Sequence, residues 1–120
     1  HGRGMSDRII KKPWGYEKIW AHTGKYVGKL LHIKRGHRLS EQFHKIKDET
    51  IYVLDGVLQL ELDGASEILY LVKGDSYGIE PGRVHRFVAP KHGSDVELME
   101  VSTPELDDVI RTEDDYNRVN

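Results

Sequence analysis

No cysteine occurs among the 120 residues. Disulfide scaffolds and thiolate metal sites are thereby excluded together, and any metal would have to be held by imidazole, carboxylate or amide oxygen. The composition is compatible with a reducing compartment, and a cytoplasmic location is expected. No apolar run approaches the roughly 18 residues a membrane-spanning helix needs, and no charged-then-apolar leader opens the chain, so no membrane partner is expected. An excess of one charge is missing as well: 18 Lys and Arg stand against 20 Asp and Glu, interspersed, for a net charge of -2. Without a continuous positive face, nucleic acid is not expected as a partner. Internal repeats and low-complexity segments are absent, and no helical apolar stripe of useful length occurs before residue 104.

What is present is a strand pattern. From Gly15 onward apolar residues recur at every second position, as in Leu58, Leu60 and Leu62 against Gln59 and Glu61, while Ile51 to Leu54 is rich in β-branched and aromatic residues. Turn signals punctuate these runs at Gly24, Gly28, Gly36, Asp55-Gly56, Asp63-Gly64, Gly74-Asp75, Pro81-Gly82 and Pro90 to Gly93. Regular short strands between frequent turns predict one all-β domain, a sandwich or barrel of two antiparallel sheets. Residues 1–4 precede Met5-Ser6-Asp7 and read as a vector-derived remnant, so His1 is discounted as a ligand. The expected organisation is a remnant and N-terminal arm over 1–10, a barrel over 11–103 and an acidic tail over 104–120. By composition the tail is a solvated terminus, a short helix or a strap over the barrel.

One polar cluster interrupts the apolar pattern. Gln42 and His44 are two apart, so on a strand they project together, and Glu49 shares a face with Ile51 and Val53 on the next strand. A carboxylate on such a face is costly to bury unless something positive meets it. The spacing alone fits either a polar hairpin with cross-strand partners or half of a metal site. The second half would come from Gly74 to Phe87, where two turns deliver His85 onto a strand beside Phe87. Two His, one Glu and one Gln from separate strands would form an open nitrogen and oxygen site suited to zinc, iron, nickel or manganese.

These residues carry a family resemblance. Gly36-x5-Gln42-x-His44-x4-Glu49-x6-Gly56 resembles the first cupin motif, with Gln in place of its first His. Gly74-x5-Glu80-x-Gly82-x2-His85-x3-Ala89 resembles the second, with Glu80 where Pro is usual and Ala89 where Asn is usual. Further along, Lys12 to Trp20, Leu39 to His44, His85 to Phe87 and Leu98 to Arg118 resemble stretches of the cupin domain of type II mannose-6-phosphate isomerases. The resemblance runs from about Lys11 to Arg118, and the nucleotidyltransferase domain that often precedes this cupin is not among these residues. Two departures stand out: Ile46 and Lys47 occupy the places of a His and an Arg in that subgroup, and Ser102 to Pro104 replaces a Gln-x-Gly.

The resemblance implies a small cupin barrel, a double-stranded β-helix, that binds one divalent metal through Gln42, His44, Glu49 and His85, with zinc the foremost choice. It implies aldose-ketose isomerisation of a sugar or sugar phosphate, with Glu100 and Lys45 as candidate proton-transfer residues and Lys12, Arg86 and Arg111 as candidate phosphate contacts. An iron oxygenase using His44, Glu49 and His85, or a non-catalytic sugar- or metabolite-binding cupin, are the alternatives. A homodimer through N-terminal edge strands is expected, because an unpaired strand edge invites pairing.

Overall fold

In a computed structural model of the protein, residues 8–118 are described, and the expected N-terminal remnant lies outside them. Eleven strands follow in chain order: β1 (Arg8–Lys12), β2 (Gly15–His22), β3 (Val27–Ile33), β4 (Glu41–Phe43), β5 (Glu49–Asp55), β6 (Leu58–Leu62), β7 (Glu67–Leu71), β8 (Ser76–Ile79), β9 (His85–Val88), β10 (Val96–Ser102) and β11 (Ile110–Glu113). A six-stranded sheet has the order β1-β2-β3-β10-β5-β8 and faces a five-stranded sheet of order β11-β4-β9-β6-β7. The pairings between named strands are antiparallel, as expected for an all-β barrel. No helix occurs among the described residues, and none is therefore long and apolar enough to cross a membrane.

The alternation read from the sequence is the alternation of burial. Leu58, Leu60 and Leu62 are fully buried and meet Ile33, Ile51, Val53, Val96 and Leu98 from the opposite sheet across Phe87. This core fills one end of the barrel, and burying each such side chain contributes about 1.5–3 kcal/mol.

Two glycines have sterically defined roles. At Gly56 (φ 81°) an added Cβ would lie 2.4 Å from the Asp95 carbonyl oxygen, so the turn after β5 accepts no side chain. Gly28, expected in a turn, lies inside β3 instead, where a Cβ would come within 2.5 Å of the Trp20 indole. Its missing side chain is what lets Trp20 lie flat on the outer sheet face.

The tail is not a solvated terminus. Its β11 pairs with β4, setting Ile110 opposite Phe43 and Arg111 opposite Gln42. Beyond β11, the tail is anchored by Arg38 to Asp115 (2.7 and 2.8 Å) and by His37 to the Tyr116 hydroxyl (2.7 Å).

Candidate metal centre

The geometry of the site follows from register and alternation. Gln42 of β4 pairs with His85 of β9, and Glu49 opens β5 opposite Ser102 of β10. His44 follows β4, leading into a turn that is fastened from a distance: Asp108 accepts the backbone N–H groups of Lys45, Ile46 and Lys47 at 3.0, 2.7 and 2.8 Å. This carboxylate supplies the acceptors that the turn cannot find locally. The three backbone N–H bonds hold the Asp108 carboxyl down to about 2.

His44, Glu49 and His85 are all buried, and one donor atom from each lies within 4.8 Å of the others. The imidazoles are oriented by backbone carbonyls: His44 Nδ1 donates to Asp108 O (2.6 Å) and His85 Nδ1 donates to Arg83 O (2.8 Å). With Nδ1 protonated, each Nε2 presents a lone pair, as in protein metal sites generally. His44 Nε2, His85 Nε2 and Glu49 Oε1 are buried and have no hydrogen-bond partner. His44 Nε2 nevertheless stands 3.0 Å from Glu49 Oε1. Two buried acceptors this close call for positive charge; the Lys47 ammonium beside Glu49 Oε1 (3.3 Å) supplies part of it, while both Nε2 atoms still lack a partner. The three donors therefore fit a divalent cation, with the Gln42 side chain facing the same cavity.

Electrostatics bear on two of the three donors, Glu49 and His85. Burial pushes the Glu49 carboxyl up, but His44, Lys47 and His85 outweigh it and hold the group down to about 2, so it is ionised. Burial pushes the His85 imidazole down, favouring its neutral form.

Above these donors opens a cavity of about 470 Å³. Its lining mixes apolar side chains, among them Trp14, Leu31 and Leu39, with charged ones, among them Lys12, Lys47, Glu100 and Arg111. The Lys47 ammonium lies 3.3 Å from Glu49 Oε1 and 3.3 Å from Glu100 Oε2. Lys29 and Glu17 form a second buried pair at 3.4 Å. Burial pushes the Glu100 carboxyl up, and the charge of Glu49 adds to that. Arg118 is held by both oxygens of Asp114 (2.9 and 3.1 Å), whereas Arg111 keeps its buried Nε without a partner.

The candidates from sequence divide accordingly. Gln42, His44 and Glu49 line the cavity and His85 joins the donor cluster beneath it, while Glu100, Lys12 and Arg111 line the walls. Lys45 does not line it, because its side chain is exposed on the turn that Asp108 caps. Arg86 does not either: it lies on the opposite side of β9 from His85 and Phe87, buried, donating to Leu39 O (2.8 Å) and to Glu113 (2.5 Å). Of the two aromatics near the start of β2, Trp14 lines the cavity, whereas Tyr16 stacks on His32 outside it at 5.1 Å. Sequence reasoning marked Lys47 only as a departure from the family pattern and did not single out Lys29 or Glu17. Lys29 and Glu17 had a signal, a charged residue on the buried phase of a strand pattern, as Lys29 is between Val27 and Leu31.

The cupin domain family profile matches residues 29–102, and the chain belongs to this family. Mannose-1-phosphate guanylyltransferase ManC of Salmonella typhimurium is 34% identical over 116 residues, which is 93% of this chain and 23% of that relative. The chain thus spans about a quarter of the length of the curated relatives it matches. Among solved structures, KdgF from Halomonas sp. superposes with a TM-score of 0.73 at 25% identity, covering 90% of this chain and 94% of the other. An RmlC-like cupin from Shewanella frigidimarina gives a TM-score of 0.74 at 20% identity over 90% of this chain and 91% of that one, which shows a shared fold.

Proposed function

We propose that the protein is a metal-dependent cupin that isomerises a phosphorylated sugar between aldose and ketose. The observation that carries this reading is the set of three buried donor atoms without partners, on His44, Glu49 and His85, at the floor of a charged cavity. His44, Glu49, His85 and Gln42 would hold one divalent cation, zinc foremost. When bound, it would supply Lewis-acid stabilisation of the negative charge that develops on adjacent sugar oxygens in an enediolate. A relative named for mannose 1-phosphate chemistry supports a phosphorylated hexose as the ligand class.

The remaining roles belong to residues of this chain. Lys12 and Arg111 would meet the phosphate: Arg111 has a buried Nε without a partner, and Lys12 is destabilised by burial and by the nearby cations Lys29, Arg118 and Arg111. An anion relieves that crowding and gains charge-assisted hydrogen bonds. Trp14 would carry the apolar face of the sugar ring. Glu100, buried in the cavity wall and bonded to Lys47, would move the proton between adjacent carbons. A cytoplasmic location accords with the absence of cysteine. A homodimer would form by pairing along β1, the edge strand of the larger sheet, whose Ile9 is 60% exposed.

The test is metal content and turnover together. Purified without chelator, the wild type is expected to hold about one equivalent of metal and to interconvert mannose 6-phosphate and fructose 6-phosphate, with His44→Ala losing both. Stoichiometric metal without turnover of hexose phosphates would reject the isomerase. A second reading rests on the two-His, one-Glu set, which is also the donor set of ferrous oxygenases. Tightly held iron with oxygen uptake would select it.

A further inference from the structure

Lys47 stands in the turn before β5, two residues ahead of Glu49, and the turn folds its side chain inward so that both groups are buried and in contact. Its side chain is buried, so its charge is compensated only by what it touches. Those neighbours are Glu49 Oε1 and Glu100 Oε2, each at 3.3 Å. Glu49 Oε1 is also the oxygen that faces His44 Nε2 at 3.0 Å, the one carboxylate oxygen in the donor set. The contact from Lys47 to Glu100 is a hydrogen bond, whereas Glu49 Oε1 receives none. Lys47 is therefore aligned on Glu100 and stands at the same distance from Glu49, whose charge it also meets.

The other donors, Gln42, His44 and His85, are neutral amide or imidazole groups. Glu49 is thus the only anionic ligand available to a dication, and Lys47 draws on that same charge. We propose that Lys47 is a resident cation that competes for Glu49, holding the affinity for divalent metal down, while Glu100 limits this competition by taking a share of the ammonium. The inference rests on the metal-site reading above and adds to it that the site is built for exchangeable rather than permanent metal. A tightly held structural metal would gain nothing from a buried ammonium beside its sole anionic ligand.

The experiment is a zinc titration by competition with a chromophoric chelator at pH 7.5, on the intact 120-residue chain as wild type, Lys47→Met, Lys47→Arg and Glu100→Gln, stripped of metal beforehand. Lys47→Met is expected to bind zinc at least tenfold more tightly than wild type. Lys47→Arg, which keeps the charge, is expected within threefold of wild type, and Glu100→Gln at least tenfold weaker. Equal or weaker binding by Lys47→Met would overturn the proposal and make Lys47 a support of ligand geometry instead. If Lys47→Met does not fold, Glu100→Gln decides: weakened binding supports the resident cation and unchanged binding overturns it. Failure of the wild type itself to bind zinc, manganese or ferrous iron would overturn the metal site together with this proposal, an outcome distinct from equal binding across the variants.

Discussion

The two ends of the barrel use the same strands for opposite purposes. Along β10 the inward residues run Val96, Leu98, Glu100 and Ser102, and along β5 in the reverse direction they run Val53, Ile51 and Glu49. Leu98 is flanked in register by Leu31 and Val53, but two residues further on Glu100 is flanked by Lys29 and Ile51. One step of the pleat converts a packed apolar layer into a buried charged one. The apolar end stabilises the fold, and the charged end costs desolvation that only partly returns as ion pairing. Placing functional chemistry on rigid strands whose far halves are tightly packed keeps the donors positioned without relying on the charged layer for stability.

Breaking the apolar end should have the largest effect on stability. Leu98→Ala removes a fully buried side chain between two neighbours, and a loss of about 2–5 kcal/mol is expected in urea unfolding. A loss below that range would mean that the packed end contributes less than its burial implies. On the charged end, replacing both Glu17 and Lys29 with leucine should raise stability by about 1 kcal/mol or more, since a buried pair exchanged for well-packed apolar groups is often stabilising. Destabilisation of the double variant would show the charged layer to be part of the scaffold. His85→Ala sharpens the contrast further: metal content should fall to background, while the urea midpoint of the metal-free form moves less than in Leu98→Ala.

The smallest effect is a pH dependence outside both ends. His32 has Glu97 and Asp95 on its two ring nitrogens at 3.0 and 2.9 Å, and although burial pulls its pKa down, these two carboxylates raise it above the ordinary 6.5. Because the folded state holds the proton more tightly, this contribution is complete below the unfolded value and is lost as pH rises through the raised one. Melting temperature should therefore drop between neutral and mildly alkaline pH in wild type more than in His32→Gln. Parallel profiles for the two proteins would remove His32 from the account.

The strands and the cluster of His44, Glu49 and His85 were legible because both follow short-range rules. Period-two alternation marks Leu58 to Leu62, and fixed spacings mark Gln42, His44, Glu49 and His85. Residues whose role depends on which strands become neighbours were not legible. The pairing of Lys47 with Glu100 exists because β10 lies beside β5, and that of Lys29 with Glu17 because β2 lies beside β3. Gly28 read as a turn because nothing in its own segment announces Trp20. Arg86 looked equivalent to Lys12 and Arg111 as a phosphate contact, and only its strand face separates it from them, whereas Lys45, read as a proton-transfer candidate, is exposed on a turn.

Asp108 carries a consequence for the order in which the protein is made. The turn that carries His44 is secured by a residue some sixty positions later, and the same residue's carbonyl orients the His44 ring. During synthesis the apolar layers can close once β10 has emerged from the ribosome, yet the ligand-bearing turn still lacks its acceptors until Asp108 follows. A nascent chain that already carries Gln42, His44, Glu49 and His85 therefore still lacks the finished cluster, and any metal the proposed site holds would enter it only at the end of folding.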